Sequence, residues 1–135
     1  MKEFDLKIVT PDRVCYDGKA LSILVTTDAG EVQICADHVD YIASLGTGRA
    51  KITTKEGSLL AAASKGIITV KNNEVSIVAV TFEFGYDIDI KRAEKARDDA
   101  SEALLKKVTM SDKEIAYLKA RLLRANTRIS VYNNK

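Results

Sequence analysis

The period of the apolar residues changes from two to about 3.6 at Asp87-Ile88-Asp89-Ile90-Lys91-Arg92-Ala93, and no other feature constrains the fold as strongly. Before this stretch the apolar residues mostly alternate. After it they recur every three or four positions. Strands therefore give way to helices within one chain. The junction also carries Ile-Asp-x-x-Arg-Ala at Ile88 to Ala93, which places a carboxylate and a guanidinium three residues apart on one face of the first helical turn.

The first part reads as short strands. Phe4, Leu6 and Ile8 alternate with Asp5 and Lys7, and the segment stops at Pro11-Asp12. Leu21, Ile23 and Val25 alternate with Ser22, Leu24 and Thr26 and break at Asp28-Ala29-Gly30. Turn signals recur at Gly46-Thr47-Gly48, Glu56-Gly57, Lys65-Gly66 and Asn72-Asn73. Between them lie Ile52 to Thr54, Leu59 to Ala63, Ile67 to Val70 and Val75 to Val80. Strands of this length, with breakers mostly about 8–12 residues apart, predict an antiparallel sandwich or barrel. Asn72-Asn73 between two β-branched runs predicts a hairpin, because Asn tolerates positive φ. The expected core is Phe4, Leu6, Ile8, Leu21, Ile23, Val25, Ile68, Val70, Ile77 and Phe82.

The second part reads as two helices. The first is expected to start near Asp87 or Ile88, with acids in the turn where the macrodipole favours them. Ala93, Ala96, Ala100, Ala103 and Leu104 fall on one side of it. An alanine seam lets a second helix approach closely but buries roughly a third of the area that leucines would, so the pair is weakly held. Ser111-Asp112-Lys113-Glu114 has the form of a capping box for the second helix. Ile115, Leu118, Leu122, Ala125, Ile129 and Tyr132 follow at heptad spacing. The link Lys106 to Met110 is short enough for an antiparallel hairpin. The predicted fold is thus mainly β plus α: an antiparallel β-sandwich over residues 1–84, then an antiparallel two-helix hairpin over 85–135.

Charge and composition exclude several functions. The formal charge of +2 is too small for a nucleic-acid binder, and no aromatic platform accompanies it. No apolar run is long enough to span a bilayer, and Met1-Lys2-Glu3-Phe4 lacks a signal-peptide core, so no direct membrane insertion is expected. Cys15 and Cys35 lie in strand-like surroundings and read as small buried hydrophobes rather than a disulfide or reactive thiols. No Cys/His cluster suggests zinc. His38 is the only histidine and has no neighbouring nucleophile or second ligand, so it reads as a loop or interface residue. With no GxSxG, HExxH or P-loop, the chain is expected not to be an enzyme, and no catalytic residue or metal ligand is assigned.

The charge is unevenly spread. From Glu114 onward Lys119, Arg121, Arg124, Arg128 and Lys135 face the single acid Glu114. Arg121, Arg124 and Arg128 form a stripe about 100° from the heptad seam. A solvated basic face is one reading. The other is an anion site, because the helix supplies no i,i+4 acids and the three charges repel one another.

The chain resembles the epsilon subunits of bacterial F-type ATP synthases over essentially its whole length. The resemblance rests on Ile8-Val9-Thr10-Pro11-Asp12 with Tyr16, on Gly30-Glu31, Ile34 and His38, and on Ser64-Lys65-Gly66-Ile67-Ile68-Thr69-Val70. It is sharpest at Ile88-Asp89-Ile90-Lys91-Arg92-Ala93, which matches the [I/L]-D-x-x-R-A ATP-binding motif of that family. It implies a non-catalytic rotor subunit that couples ion flow to ATP synthesis. The sandwich would sit at the foot of the central stalk against the gamma subunit and the rotor c-ring, peripheral on the cytoplasmic face of the membrane. The folded-down hairpin would bind ATP and leave the enzyme active. The extended hairpin would reach an acidic segment of the catalytic beta subunits and block hydrolysis.

The nucleotide-binding set this implies is Glu83, Ile88, Asp89, Arg92, Ala93, Arg124 and Arg128. Partner contacts carry over to Glu31 and His38 for the ring or gamma, and to Arg121, Arg124 and Arg128 for beta. No cofactor is required, and ATP is the candidate regulatory ligand. A stand-alone ATP-sensing adaptor of the same fold is the alternative. The chain departs from the family pattern at Gln33, Ala36 and Asp40, which replace a loop glycine and two prolines, and at Lys65, which replaces a hairpin glycine. Asp98 and Asp99 stand where ATP-binding members tend to carry arginine, and two acids near phosphates would weaken binding.

Overall fold

The computed structural model describes residues 2–135. Ten strands form one continuous hydrogen-bonded sheet that folds over on itself. They are β1 (Phe4–Val9), β2 (Val14–Ala20), β3 (Ser22–Thr27), β4 (Gly30–Cys35), β5 (Tyr41–Leu45), β6 (Gly48–Thr54), β7 (Gly57–Ala63), β8 (Gly66–Lys71), β9 (Glu74–Ala79) and β10 (Phe82–Phe84). One layer runs β10-β7-β6-β3 with β4 on β3, and the other runs β5-β8-β9-β1-β2. The layers join where Thr27 of β3 meets Leu45 of β5. At the opposite edge Arg13 Nη2 and Cys15 Sγ both reach the Phe82 carbonyl, so the sandwich nearly closes into a barrel. Every pairing is antiparallel except β1 with β9.

Alternation along the strands puts Phe4, Leu6, Ile8, Ile23, Val25, Ile68, Val70, Ile77 and Phe82 into one buried cluster, as the pattern predicts. Leu21 departs from the expectation. It lies at the bend between β2 and β3 and is only half-buried, and Ala20 takes the core position beside it. Asn72 and Asn73 turn β8 into β9 with φ of 52° and 62°, the left-handed pair a two-residue hairpin requires. Gly66 has a different constraint: a Cβ there would collide with the Val78 backbone carbonyl on β9. Lys65 beside it is exposed, so the residue that replaces the family glycine meets no such limit. Cys15 is half-buried, but Cys35 is exposed rather than buried.

A 3₁₀ turn at Gly85–Asp87 leads to α1 (Ile90–Leu104) and, after a second 3₁₀ turn, to α2 (Asp112–Asn134). The first helix begins two to three residues later than expected, because Asp89 is its N-cap and accepts the Arg92 backbone N–H at 3.1 Å. Ser111 caps α2 by accepting the Glu114 N–H at 3.2 Å. Ala93 and Ala100 are buried on α1 and face the buried Ala125 side of α2. Among the described residues no helix is long and apolar enough to cross a membrane.

The hairpin is packed onto the sandwich by the end of α2. Val131, which lies outside the heptad seam, is buried with Ala62 of β7 and Ile88, and Leu60 and Tyr132 pack at the margin. Gly85 sits directly under the Lys135 side chain, where a Cβ would approach Lys135 Cβ to 2.6 Å. Arg128 Nε donates to Glu83 Oε1 of β10 at 2.6 Å, a pair only about a quarter to a third exposed.

Candidate functional site

A cleft of about 650 Å³ opens where β10, the Gly85–Asp87 turn, α1 and α2 meet. That volume is in the range of small-molecule sites. Its carboxylates come from the sandwich and the joint: Asp12 from the β1–β2 turn, Glu83, Asp87 and Asp89. Its cations come from the helices: Arg92 on α1, and Arg121, Arg124 and Arg128 on α2. Ala93 and Ala96 form the apolar wall between them. The alanine seam that weakens the helix pair therefore also makes the space.

Carboxylates are confined to the sandwich end of the cleft, whereas guanidiniums line its whole length. Arg128 is nearest the sandwich and is neutralised by Glu83. Arg124 and Arg121 lie about 6 and 10.5 Å further towards the hairpin tip, at 1.5 Å of rise per residue. Arg121 and Arg124 are half-buried, Arg92 is exposed, and none of the three has a carboxylate within salt-bridge distance among the described residues. Asp89 uses one carboxylate oxygen on its helix cap, which leaves the other for a ligand. The cleft thus holds its carboxylates at the sandwich end, with Arg92 and Arg128 beside them, and the unpaired guanidiniums of Arg124 and Arg121 extend towards the hairpin tip. An elongated molecule with donors at its head and an anionic tail fits that polarity.

Six of the seven residues assigned to nucleotide binding line this cleft: Glu83, Asp89, Arg92, Ala93, Arg124 and Arg128. Ile88 does not. It points the other way, into the cluster with Ala62 and Val131, and acts as a packing wedge. Asp98 and Asp99 do not line the cleft either; both are exposed, and Asp98 pairs with the neighbouring Arg97 at 3.0 Å. Their exposure to solvent weakens the repulsion expected from them at the cleft without abolishing it. The basic stripe of α2 borders the cleft, since Arg121, Arg124 and Arg128 all line it.

Three lining residues were not legible beforehand. Asp12 and Thr81 reach the cleft only through tertiary folding, Thr81 being held by hydrogen bonds to Ser64. Asp87 was expected in the first turn of α1 rather than at a cleft wall.

The other proposed contact residues lie elsewhere, near the two ends of β4. Glu31 forms a two-point ion pair with Arg49, at 2.6 and 3.1 Å. That pair holds the Glu31 carboxyl below the usual glutamate range and raises Arg49 in step. His38 follows β4, bonds the Val39 carbonyl through Nδ1 at 2.7 Å and meets Tyr41 edge-on at 5.7 Å. A separate apolar patch covers the outer face of β5, β8 and β9. Ile67 and Val78 are directly paired there, Ile42 is diagonal to Ile67, and Val80 continues the patch; all four are at least half exposed.

Comparison with known proteins matches both halves of the chain. The family model described as ATP synthase, Delta/Epsilon chain, beta-sandwich domain, fits residues 3–85. The one described as ATP synthase, Delta/Epsilon chain, long alpha-helix domain, fits residues 87–133. Among curated relatives, the ATP synthase epsilon chain of Clostridium botulinum is 37% identical over 129 residues, covering 95% of this chain and 94% of that one. The ATP synthase epsilon chain of Staphylococcus saprophyticus is 37% identical over 134 residues, covering 98% of each. Among solved structures, a chain of the Euglena gracilis mitochondrial ATP synthase (OSCP/F1/c-ring) has the same fold, with a TM-score of 0.70 at 18% identity over 97% of this chain and 78% of that one. A chain from the Tetrahymena thermophila mitochondrial ATP synthase central stalk/c-ring superposes with a TM-score of 0.57 at 15% identity, covering 98% and 96%.

Proposed function

This chain belongs to the ATP synthase delta/epsilon family, as an epsilon subunit of the bacterial F-type enzyme, and from that premise we propose that it is a rotor component of the central stalk whose hairpin regulates ATP hydrolysis. It is a non-catalytic subunit of the complex. On this reading the sandwich rests against gamma and the c-ring at the cytoplasmic face of the membrane and helps to couple ion flow to synthesis. The apolar patch of Ile42, Ile67, Val78 and Val80 supports a gamma-docking face, since a monomer gains nothing by leaving such a patch in water. Glu31 and His38, near the two ends of β4, are the further contact points towards the ring or gamma.

The observation that carries the regulatory reading is the cleft, whose walls come from three parts of the chain, the sandwich with its joint, α1 and α2, brought together in the folded-down hairpin. A ligand that touches all three stabilises that state through differential affinity. The polarity of the cleft supports ATP as that ligand. Glu83 and Asp89 would accept from the base and ribose, and Arg92 and Arg124 would take the phosphates. Arg128 would join them on exchanging Glu83 for the ligand. When the hairpin extends, the same arginines of α2 are freed to meet an acidic segment of beta.

The test is ATP hydrolysis by an alpha–beta–gamma complex from the same organism, with the full chain or with one ending at Asp87, which keeps β10. Inhibition by the full chain alone, with gamma binding retained by both, supports the reading. Gamma binding without inhibition removes the regulatory arm from it. No gamma binding overturns it in favour of a stand-alone ATP-sensing adaptor.

A further inference from the structure

We infer that Arg121 is the residue of this cleft that reads the terminal phosphate, and so distinguishes a nucleoside triphosphate from the diphosphate. The inference rests on the nucleotide reading of the cleft. Of the four guanidiniums present, Arg128 is already engaged by Glu83 at 2.6 Å. Three have no carboxylate within salt-bridge distance among the described residues: Arg92, Arg124 and Arg121. All four carboxylates lie on the sandwich or at the joint. Arg121 is the α2 arginine furthest along the chain from the Glu83–Arg128 contact, one helical turn beyond Arg124. A ligand oriented with its donors on the carboxylates therefore brings the end of its anionic tail to Arg121.

The local sequence leaves Arg121 no other partner. Its neighbours at three and four positions are Tyr117, Leu118, Arg124 and Ala125, so α2 supplies no acid. Across the cleft α1 presents Ala93 and Ala96. Arg121 is half-buried, with its stem along the helix surface and its guanidinium left without a protein acceptor. Its planar fork suits the terminal phosphoryl group, which exposes more unshared oxygens than the bridging ones.

The experiment is calorimetric titration of the full chain and of Arg121→Ala, Arg121→Lys and Arg92→Ala with ATP and with ADP. Loss of one charge-assisted contact predicts about tenfold weaker ATP binding for Arg121→Ala, while ADP changes by less than about twofold. Arg121→Lys, which keeps the charge but loses the fork, is expected to fall between the two. Arg92→Ala is expected to weaken both ligands together. If Arg121→Ala leaves the ATP-to-ADP ratio unchanged, whether both affinities fall or neither does, the role of Arg121 is overturned and the nucleotide site stands. If the unaltered chain binds neither nucleotide, the site itself is overturned, and the role of Arg121 with it.

Discussion

Val131→Ala should release the hairpin from the sandwich without unfolding either. Val131 is 2% exposed and fills the contact between Ala62, Ile88 and the margin formed by Leu60 and Tyr132. The substitution removes two methyl groups, about 1.6 kcal/mol at ~0.8 kcal/mol each, and the residual cavity raises the loss to about 2 kcal/mol. Alanine also favours the helix over valine by up to about 0.7 kcal/mol. The two effects act on different equilibria. Docking weakens by roughly 30-fold while the helix itself gains slightly. Hydrogen exchange followed by mass spectrometry separates them. Peptides from residues 121–134 should exchange roughly tenfold or more faster, because the end of α2 frays locally once the sandwich no longer packs against it. Peptides from β8 and β9 should not change. Equal acceleration in both regions would show that hairpin and sandwich open as one unit and refute the separate docking equilibrium. Unchanged exchange in α2 would refute the anchor.

Glu83→Gln leaves Arg128 half-buried without its partner and should weaken docking by about 1–2 kcal/mol; the double variant with Arg128→Gln should be less than additive, which a thermodynamic cycle by the same exchange method measures. Glu31 gives a pH dependence whose sign follows from its lowered pKa. The ionised form is favoured in the folded chain, so its contribution is complete above the unfolded carboxylate value and is lost as pH falls through the lower folded one. The Glu31 carboxyl signal should titrate below the ordinary glutamate range by nuclear magnetic resonance and return towards it in Arg49→Ala; a midpoint that Arg49→Ala does not move would refute the pairing.

The division into strands and helices was legible because each half obeys one period. The buried residues of β1, β8 and β9 alternate, as do those of β3 from Ile23 onward, and an alternating run has one periodic solution. Strands β2, β4 and β5 escaped for the converse reason. Each buries little: Ala20, Ile34 and Leu45 are the only fully buried residues of the three. A strand that lies at a sheet edge, or exposes Ile42 to water, loses the contrast between its faces on which the signal depends. The parallel pairing of β1 with β9 was also invisible, since alternation carries no information about direction. In the cleft, Asp89 and Arg92 could be found because their spacing is local. Asp12 could not, as it arrives from the other end of the chain. The arginine stripe was ambiguous until the partner of Arg128 was seen to come from β10 rather than from its own helix.

The forces on the hairpin are small and nearly opposed, the balance that the proposed regulation requires. Val131 in its cluster and the Glu83–Arg128 pair hold it down. By the magnitudes above they amount to about 3–4 kcal/mol, before the loss of freedom on docking is subtracted. Against them stands the repulsion between Arg92 on α1 and the pair Arg121 and Arg124 on α2, which the closed hairpin holds around one cleft. A ligand at a hundred times its dissociation constant contributes about 2.7 kcal/mol to the state that binds it. That is comparable to either docking contact. A polyanion acts twice over, since it adds its own contacts and also removes the repulsion among Arg92, Arg121 and Arg124. On the proposed reading, the ligand decides the position of the hairpin because the seam is alanine. Leucines at Ala93 and Ala96 would close the cleft and hold the helices together whether or not a ligand was present.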